Sequence, residues 1–327
     1  MILHSNPRLP HFEGERLPWM GGDLQTLRHF IRRDIKPLED GEALTVTLDD
    51  GDTLLAAFHA PAGHDAEGKM RGGIIAVHGL TGCMDSDHIN VLTRDALRQG
   101  YAVLRVNMRG AGPARKLAKK SYSAKAGADL LPFIKMMRGK IGDDLPVVMV
   151  AHSIGGAAAL NMMLDFPDQL DGLNGLVSVA APIDMMASNA RFNALRNRVY
   201  MKYLLNGLKA LADEVPEIAP DVLAKIKTVQ SIKEFDDVYT GPNMGYADAY
   251  EYYAAATVAH RLDDVPIRTL LIHGGNDPWI PKEGYLNLTP SAMLDVLVSD
   301  GGGHVGFHDA KGIWSNRAIF SWLGQYF

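Results

Sequence analysis

The chain has 327 residues, 47% hydrophobic and 22% charged, with a formal net charge of −5. That is the composition of a soluble globular protein, and it offers no basic excess to hold nucleic acid. The single cysteine, Cys83, excludes an intramolecular disulfide and fits a reducing compartment, and no apolar run reaches the length of about eighteen residues that spans a membrane.

Residues 1–40, rich in Pro, Arg and His, read as an arm wrapped on the domain, with a short helix near Gln25 to Arg32. The first residues lack the charged start and apolar core of a signal peptide, so a cytoplasmic location is expected. Leu44 to Leu48 and Thr53 to His59 flank Asp49-Asp50-Gly51-Asp52, a hairpin with Asp-Gly at the turn. Pro61 to Met70 reads as a loop. Gly73 to Val77 is a short buried strand, Ile89 to Gln99 a helix closed by Gly100, and Ala102 to Val106 the next strand. Asp85 or Ser86 is the expected N-cap of that helix. Ala124 to Arg138 reads as a helix that Pro132 shortens or kinks.

Val147 to Val150 form an apolar, mostly β-branched run, and Ile154 to Met163 an alanine-rich helical one, with Ser153 on the turn between them. A strand follows at Leu173 to Val179. Alternation then stops, and residues from about Ile183 to Arg261 carry a helical pattern without a convincing strand. It resumes at Arg268 to His273 and Met293 to Val298, before a closing helix at Trp314 to Phe327. The expected fold class is α/β: one domain over residues 1–327, with a mostly parallel sheet covered on both faces and a helical cap inserted at about 183–261. Such a cap would lie over the strand C-termini, where open α/β sheets bind ligands.

The turn reads Ala151-His152-Ser153-Ile154-Gly155, close to G-x-S-x-G, in which a strained turn exposes a serine hydroxyl above the sheet. Serine is a poor nucleophile until a base takes its proton. Asp277, in His273-Gly-Gly-Asn-Asp-Pro278, follows one later strand. His304, in Gly301-Gly-Gly-His-Val-Gly306, follows another. The order Ser153, Asp277, His304 is one of the known triad orders. His308 is the alternative base, and Asp300 and Asp309 are alternative acids that lie too near His304 in sequence. Acyl transfer also needs two amides for the developing oxyanion, each worth roughly 2.7–4 kcal/mol. Ile154 supplies one, and Leu80 of His78-Gly79-Leu80-Thr81-Gly82 the other.

Asp85-Ser86-Asp87-His88 carries metal-ligand types but no H-x-H or H-E-x-x-H partner, so neither metal nor cofactor is expected. Asn107-Met-Arg-Gly-Ala-Gly112 is not a dinucleotide fingerprint. Arg109 there suits a structural ion pair. An aspartate rather than Ser153 at the turn would have pointed to haloalkane chemistry.

With these residues assembled, the chain resembles the YheT-like branch of the α/β-hydrolases. The resemblance rests on Gly22-Asp-Leu-Gln-Thr-Leu27, the 78–88 segment, Val106 to Gly110, His152 to Gly156, Phe235-Asp236-Asp237 with Tyr252-Tyr253, Asn276-Asp-Pro-Trp279 and Gly302 to Phe307. It covers nearly the whole chain. It implies Ser153 as nucleophile, Asp277 as acid and His304 as base, in ester hydrolysis on short to medium acyl chains. Relatives act on phospholipids or transfer acyl groups to alcohols. Ala151 departs from the usual first glycine. The sequence also lacks the N-terminal membrane anchor of many eukaryotic relatives, which argues against direct action on bilayer phospholipid.

The expected activity is therefore a serine carboxylesterase acting through an acyl-enzyme on a small-molecule ester or lipid-like substrate. An alcohol O-acyltransferase or lipid-directed lipase would use the same triad, and a non-catalytic binding protein would have lost a member of it. Met185, Met186, Phe192, Tyr200, Met201, Tyr203, Met244 and Tyr246 are the candidate pocket lining from the cap.

Overall fold

The computed structural model describes every residue except 33–34, 36–37, 39–40, 62–69 and 216–217. The expected loop over Pro61 to Met70 falls almost wholly outside the described residues. In chain order the first half holds β1 (Leu3–His4), α1 (Gly22–Arg32), β2 (Glu42–Thr47), β3 (Thr53–His59), β4 (Gly72–Val77), α2 (Asp87–Arg98), β5 (Tyr101–Val106), α3 (Leu131–Ile141), β6 (Val147–His152), α4 (Ile154–Asp165) and β7 (Gly175–Val179). A helical stretch follows: α5 (Met185–Phe192), α6 (Arg198–Asp213), α7 (Pro220–Thr228), α8 (Ile232–Phe235), a π-helical turn over Asp236–Thr240, α9 (Gly241–Asn243) and α10 (Ala249–Ala256). The chain closes with β8 (Arg268–Gly274), α11 (Glu283–Leu286), β9 (Leu294–Ser299), the short β10 (His308–Asp309) and β11 (Gly312–Ile313), and α12 (Trp314–Tyr326).

Among the described residues the main sheet runs β1-β9-β8-β7-β6-β4-β5-β3-β2. From β9 to β5 every pair is parallel, while β1 on one edge and the β3-β2 hairpin on the other are antiparallel. Every residue of β4, β5, β6 and β7 is buried, as a sheet covered on both faces requires. Alternation sorts the side chains. Ile75, Val77, Met149 and Ala151 pack with α3 and α4, while Ile74, Ala76, Val148 and Val150 pack with α2 and α12.

Two expectations need correction. Ala124 to Arg138 is not one helix: a 3-10 turn spans Gly127–Leu130, and α3 begins at Leu131. Pro132 sits in its first turn, where a missing N–H costs nothing, so it starts the helix rather than kinking it. Ser86 does occupy the N-cap position of α2, but its hydroxyl does not cap; it accepts from the Cys83 N–H at 3.0 Å. Asp85 instead pairs with Arg105 at 2.7 Å. Missed altogether was β1, whose two residues are too short to show a period.

The sheet is the floor of the site, and the C-terminal ends of β4, β6, β8 and β9 all meet at one rim. The helices from Met185 to Ala256 form its roof. They carry an apolar cluster of their own, including Leu205, Leu208, Ile226, Phe235 and Tyr239, against which Leu80 of the floor packs.

Candidate active site

At the end of β6 the chain must reverse into α4 with almost no room. Ser153 takes φ 53° and ψ −127°, a conformation that costs a non-glycine residue about 1–3 kcal/mol. A Cβ on Gly155 would lie 2.2 Å from the His78 carbonyl oxygen, and one on Gly156 would lie 2.6 Å from the Ser178 hydroxyl. These two glycines are therefore demanded by close approach. Ala151 sits in β6, fully buried, with its methyl accommodated in the core beneath α4. Ile154 is the first residue of α4, so its N–H has no acceptor within the helix.

Asp277 follows β8 in a tight turn that it builds itself. One carboxylate oxygen accepts from the N–H groups of Trp279 and Ile280, at 2.7 and 3.0 Å. The other lies 2.8 Å from His304 Nδ1. Burial by itself would push this carboxyl up, but the attraction of the neighbouring His304 and its hydrogen bond hold it below the usual carboxylate range. His304 Nε2 lies 2.9 Å from Ser153 Oγ. With Asp277 accepting at Nδ1, the imidazole proton belongs there and Nε2 is left to accept the serine O–H. Ser153, His304 and Asp277 thus form one continuous hydrogen-bonded line across the ends of β6, β9 and β8.

The glycine loop around His304 is held mostly from the arm. Glu15 Oε1 accepts from the Gly302 N–H at 3.0 Å and from Asn276 Nδ2 at 2.8 Å. Asn276 Oδ1 accepts from the Gly303 N–H at 2.9 Å, and Thr26 Oγ1 from the His304 N–H at 2.8 Å. Trp279 packs on the imidazole, ring centres 4.3 Å apart.

The family can now be assigned. A family model described as "Serine aminopeptidase, S33" matches residues 68–308. A protein of Escherichia coli (strain K12) named "Putative esterase YheT" is 30% identical over 318 residues, covering 93% of this chain and 90% of its own. The chain belongs to the YheT-like branch of the α/β-hydrolases. It is a serine hydrolase by family. Also similar is the Saccharomyces cerevisiae "Medium-chain fatty acid ethyl ester synthase/esterase 2", 24% identical over 77% of this chain and 62% of its own length. The fold is shared with the Pyrococcus furiosus esterase Pf2001, at TM-score 0.57 and 15% identity over 99% of both chains.

In this YheT-like hydrolase the loop after β4 passes directly beneath the serine. A Cβ on Gly79 would lie 3.1 Å from the Ser153 Cβ, which is why the loop needs glycine there. His78 shapes the loop, its Nδ1 donating to the Gly79 carbonyl at 2.8 Å while Nε2 accepts from the Met108 N–H at 3.1 Å. Complete burial holds it neutral, with its pKa lowered to about 4. His152 and His273 are depressed to about 4 by the same cause. The Tyr122 hydroxyl accepts from the Thr81 N–H at 2.7 Å and fixes the far end of the loop.

Ser153, His304, Leu80 and Ile154 all line a cavity of about 490 Å³ between floor and roof. Of the proposed lining from the helical stretch, Met185, Phe192 and Tyr203 are on its wall. Met186, Tyr200, Met201, Met244 and Tyr246 are not. Met201 faces the packed interior of the helices, and Tyr200 reaches outward to Asp23 and packs edge-on to Trp279. The alternative site residues are engaged elsewhere. His308 contacts Arg28 at 2.8 Å, Asp309 pairs with Arg317, and Asp300 with the N-terminal ammonium. Arg109 pairs with Asp50, Asp52 and Asp129, a purely structural knot tying the β2-β3 turn to the chain before α3. Among the described residues no helix is long and apolar enough to cross a membrane.

Proposed function

We propose that the protein is a carboxylester hydrolase working through an acyl-enzyme on short- to medium-chain acyl esters. Ser153 attacks the ester carbonyl while His304 Nε2 takes its proton; Asp277 keeps the imidazole in the right tautomer and stabilises the imidazolium. The N–H groups of Leu80 and Ile154 receive the oxyanion. His304 then returns the proton to the leaving alcohol, and a water, deprotonated by the same imidazole, releases the acid. Residues 1–327 act as one domain, with 1–40 as an arm and about 183–261 as a cap that covers the site.

The unbroken line from Asp277 through His304 to Ser153 carries this reading, because it sets an oriented base 2.9 Å from the hydroxyl whose proton it must take. The size and apolar walls of the cavity support a medium-length acyl group. A fluorophosphonate probe should label the wild type, and Ser153→Ala should lose both labelling and turnover of p-nitrophenyl butyrate, by about 10⁶-fold. Undiminished turnover in that variant would overturn the mechanism. A second reading, transfer of the acyl group to an alcohol, is favoured by the yeast relative named for both ester synthesis and hydrolysis. The ratio of ethyl butyrate formed to butyrate released in aqueous ethanol separates the two.

A further inference from the structure

The proposed reaction uses nothing on the roof of the cavity, yet the roof contributes a buried carboxylic acid to its wall. Asp236 opens the π-helical turn after α8 and is 8% exposed. Its Oδ2 accepts from the Tyr253 hydroxyl of α10 at 2.7 Å, and the Thr240 hydroxyl also bonds its carboxyl. Among the described residues it makes no ion pair. Its neighbour Asp237 takes Lys233 at 2.6 Å and accepts from the Ala249 N–H, so it has a cation and a backbone partner, whereas among the described residues Asp236 has only hydroxyl donors.

A carboxylate has about four acceptor positions, and two O–H donors fill only half of them. An amide at this position would also accept from Tyr253 and would be less costly to bury, so the packing alone does not call for an acid. The turn that carries it is π-helical, a wide and costly form that recurs where a site needs a side chain aimed off the helical register. Asp236, Thr240 and Tyr253 line the same cavity as Ser153, and Ser121 and Ser123 stand on that wall too. The cavity is also polar at the catalytic residues and at the Asp85 to His88 segment of the floor, and this is a further polar patch, with acceptor capacity to spare.

We propose that Asp236, with Tyr253 and Thr240, is a specificity subsite that reads a free hydroxyl on the substrate. The preferred esters then carry an unesterified hydroxyl, on the alcohol or on the acyl chain. This rests on the ester-hydrolase reading above and names the substrate class of the same site. The hydroxyl donates to the spare lone pair of the Asp236 carboxylate, and the ester carbonyl lies over Ser153. A cationic headgroup is less suited, because the buried guanidinium of Arg115, bonded to Ser121 Oγ at 3.0 Å, already places a positive charge behind that wall.

The test compares esters of one acyl group: 1-butyrylglycerol against propyl butyrate, ethyl 3-hydroxybutyrate against ethyl butyrate, and butyrylcholine against 3,3-dimethylbutyl butyrate. Asp236→Asn keeps the acceptor for Tyr253 and removes the charge, and Thr240→Val is the second variant. The wild type should prefer one hydroxylated ester over its plain partner, and which pair shows it tells whether alcohol or acyl chain is read. In Asp236→Asn that preference should fall about tenfold through KM, the difference between a charged and a neutral hydrogen bond. Turnover of p-nitrophenyl butyrate should stay within twofold. Equal losses on plain and hydroxylated esters would make Asp236 structural and overturn the subsite. So would wild-type turnover of p-nitrophenyl butyrate without any hydroxyl preference, or a preference confined to butyrylcholine, both of which leave the hydrolase reading standing. A wild type inert toward every ester overturns that reading and the subsite with it.

Discussion

Asp277 on the floor and Asp236 on the roof are both buried carboxylic acids, and the two are driven in opposite directions. Both are desolvated. Asp277 faces an imidazole and two amide N–H groups, and is held below the ordinary carboxylate range. Asp236 takes its hydrogen bonds from hydroxyls, with Asp237 and Lys233 nearby acting in opposite senses, and burial raises it to about 6. Burial alone therefore does not set what a buried acid can do; its partners decide whether it stays charged and what it can still accept. The two regions also differ as scaffolds. Each residue of the line follows a parallel strand buried along almost its whole length, whereas the roof is a set of helices around a small cluster of its own.

The comparison breaks first at Asp277. If its charge beside His304 is what matters, Asp277→Asn should lower kcat by about 10⁴-fold with folding intact, while Asp236→Asn leaves plain esters nearly untouched. Similar losses from both would mean that the two acids are not functionally distinct. Circular dichroism melts alongside kcat separate chemistry from folding.

Acidification should pull floor and roof apart. His78, His152 and His273 are held neutral by burial, with pKa values near 4 against roughly 6.5 in an unfolded chain. Their contribution to stability is fully present above about 6.5 and is lost as pH falls through 4, on the order of 3 kcal/mol for each imidazole. Asp236 has the opposite sign. Raised to about 6, its contribution is present below the unfolded value of roughly 3.9 and is lost as pH rises through 6. From pH 7 to 5, hydrogen-exchange protection factors should therefore fall in β4, β6 and β8 and hold or rise in α8 and α10. A uniform decline would refute the contrast.

Smaller effects sharpen the picture of the floor. Gly155→Ala drives a methyl to 2.2 Å from the His78 carbonyl. It should cost about 3 kcal/mol in a denaturant melt and displace the loop that carries Leu80. Ala151→Gly, which restores the usual small residue, should cost only about 0.5–1 kcal/mol through chain entropy, with kcat within twofold. A marked gain in kcat would show instead that Ala151 strains the turn.

Much of the floor is legible in the sequence because its constraints are local. Ser153, Asp277 and His304 each follow a short apolar run and sit among glycines, so strand, turn and side chain can be read together. The props of the site are not legible for the opposite reason. Glu15 and Thr26 hold the His304 loop across sequence separations of 287 and 278 residues, and although Thr26 lies in the Gly22 to Leu27 segment that carries the resemblance, nothing in the local sequence says what either residue holds. The roof is the hardest part. A helical period tells which side of a helix is apolar but not whether that side meets the cavity or another helix. Met185 and Met201 look alike in sequence, yet one lines the cavity and the other is core.

The hydrogen bond between Thr26 and His304 also has a consequence for the order in which the molecule is made. A ribosome delivers residue 26 well before residue 304. Until residue 304 has emerged and met residue 26, Ser153 has no partner at Nε2 and the turn that strains it has nothing to act with. A nascent chain that stops short of residue 304 is thus held without its hydrogen-bonded line, and the appearance of activity during translation would time the moment at which the arm and the glycine loop first meet.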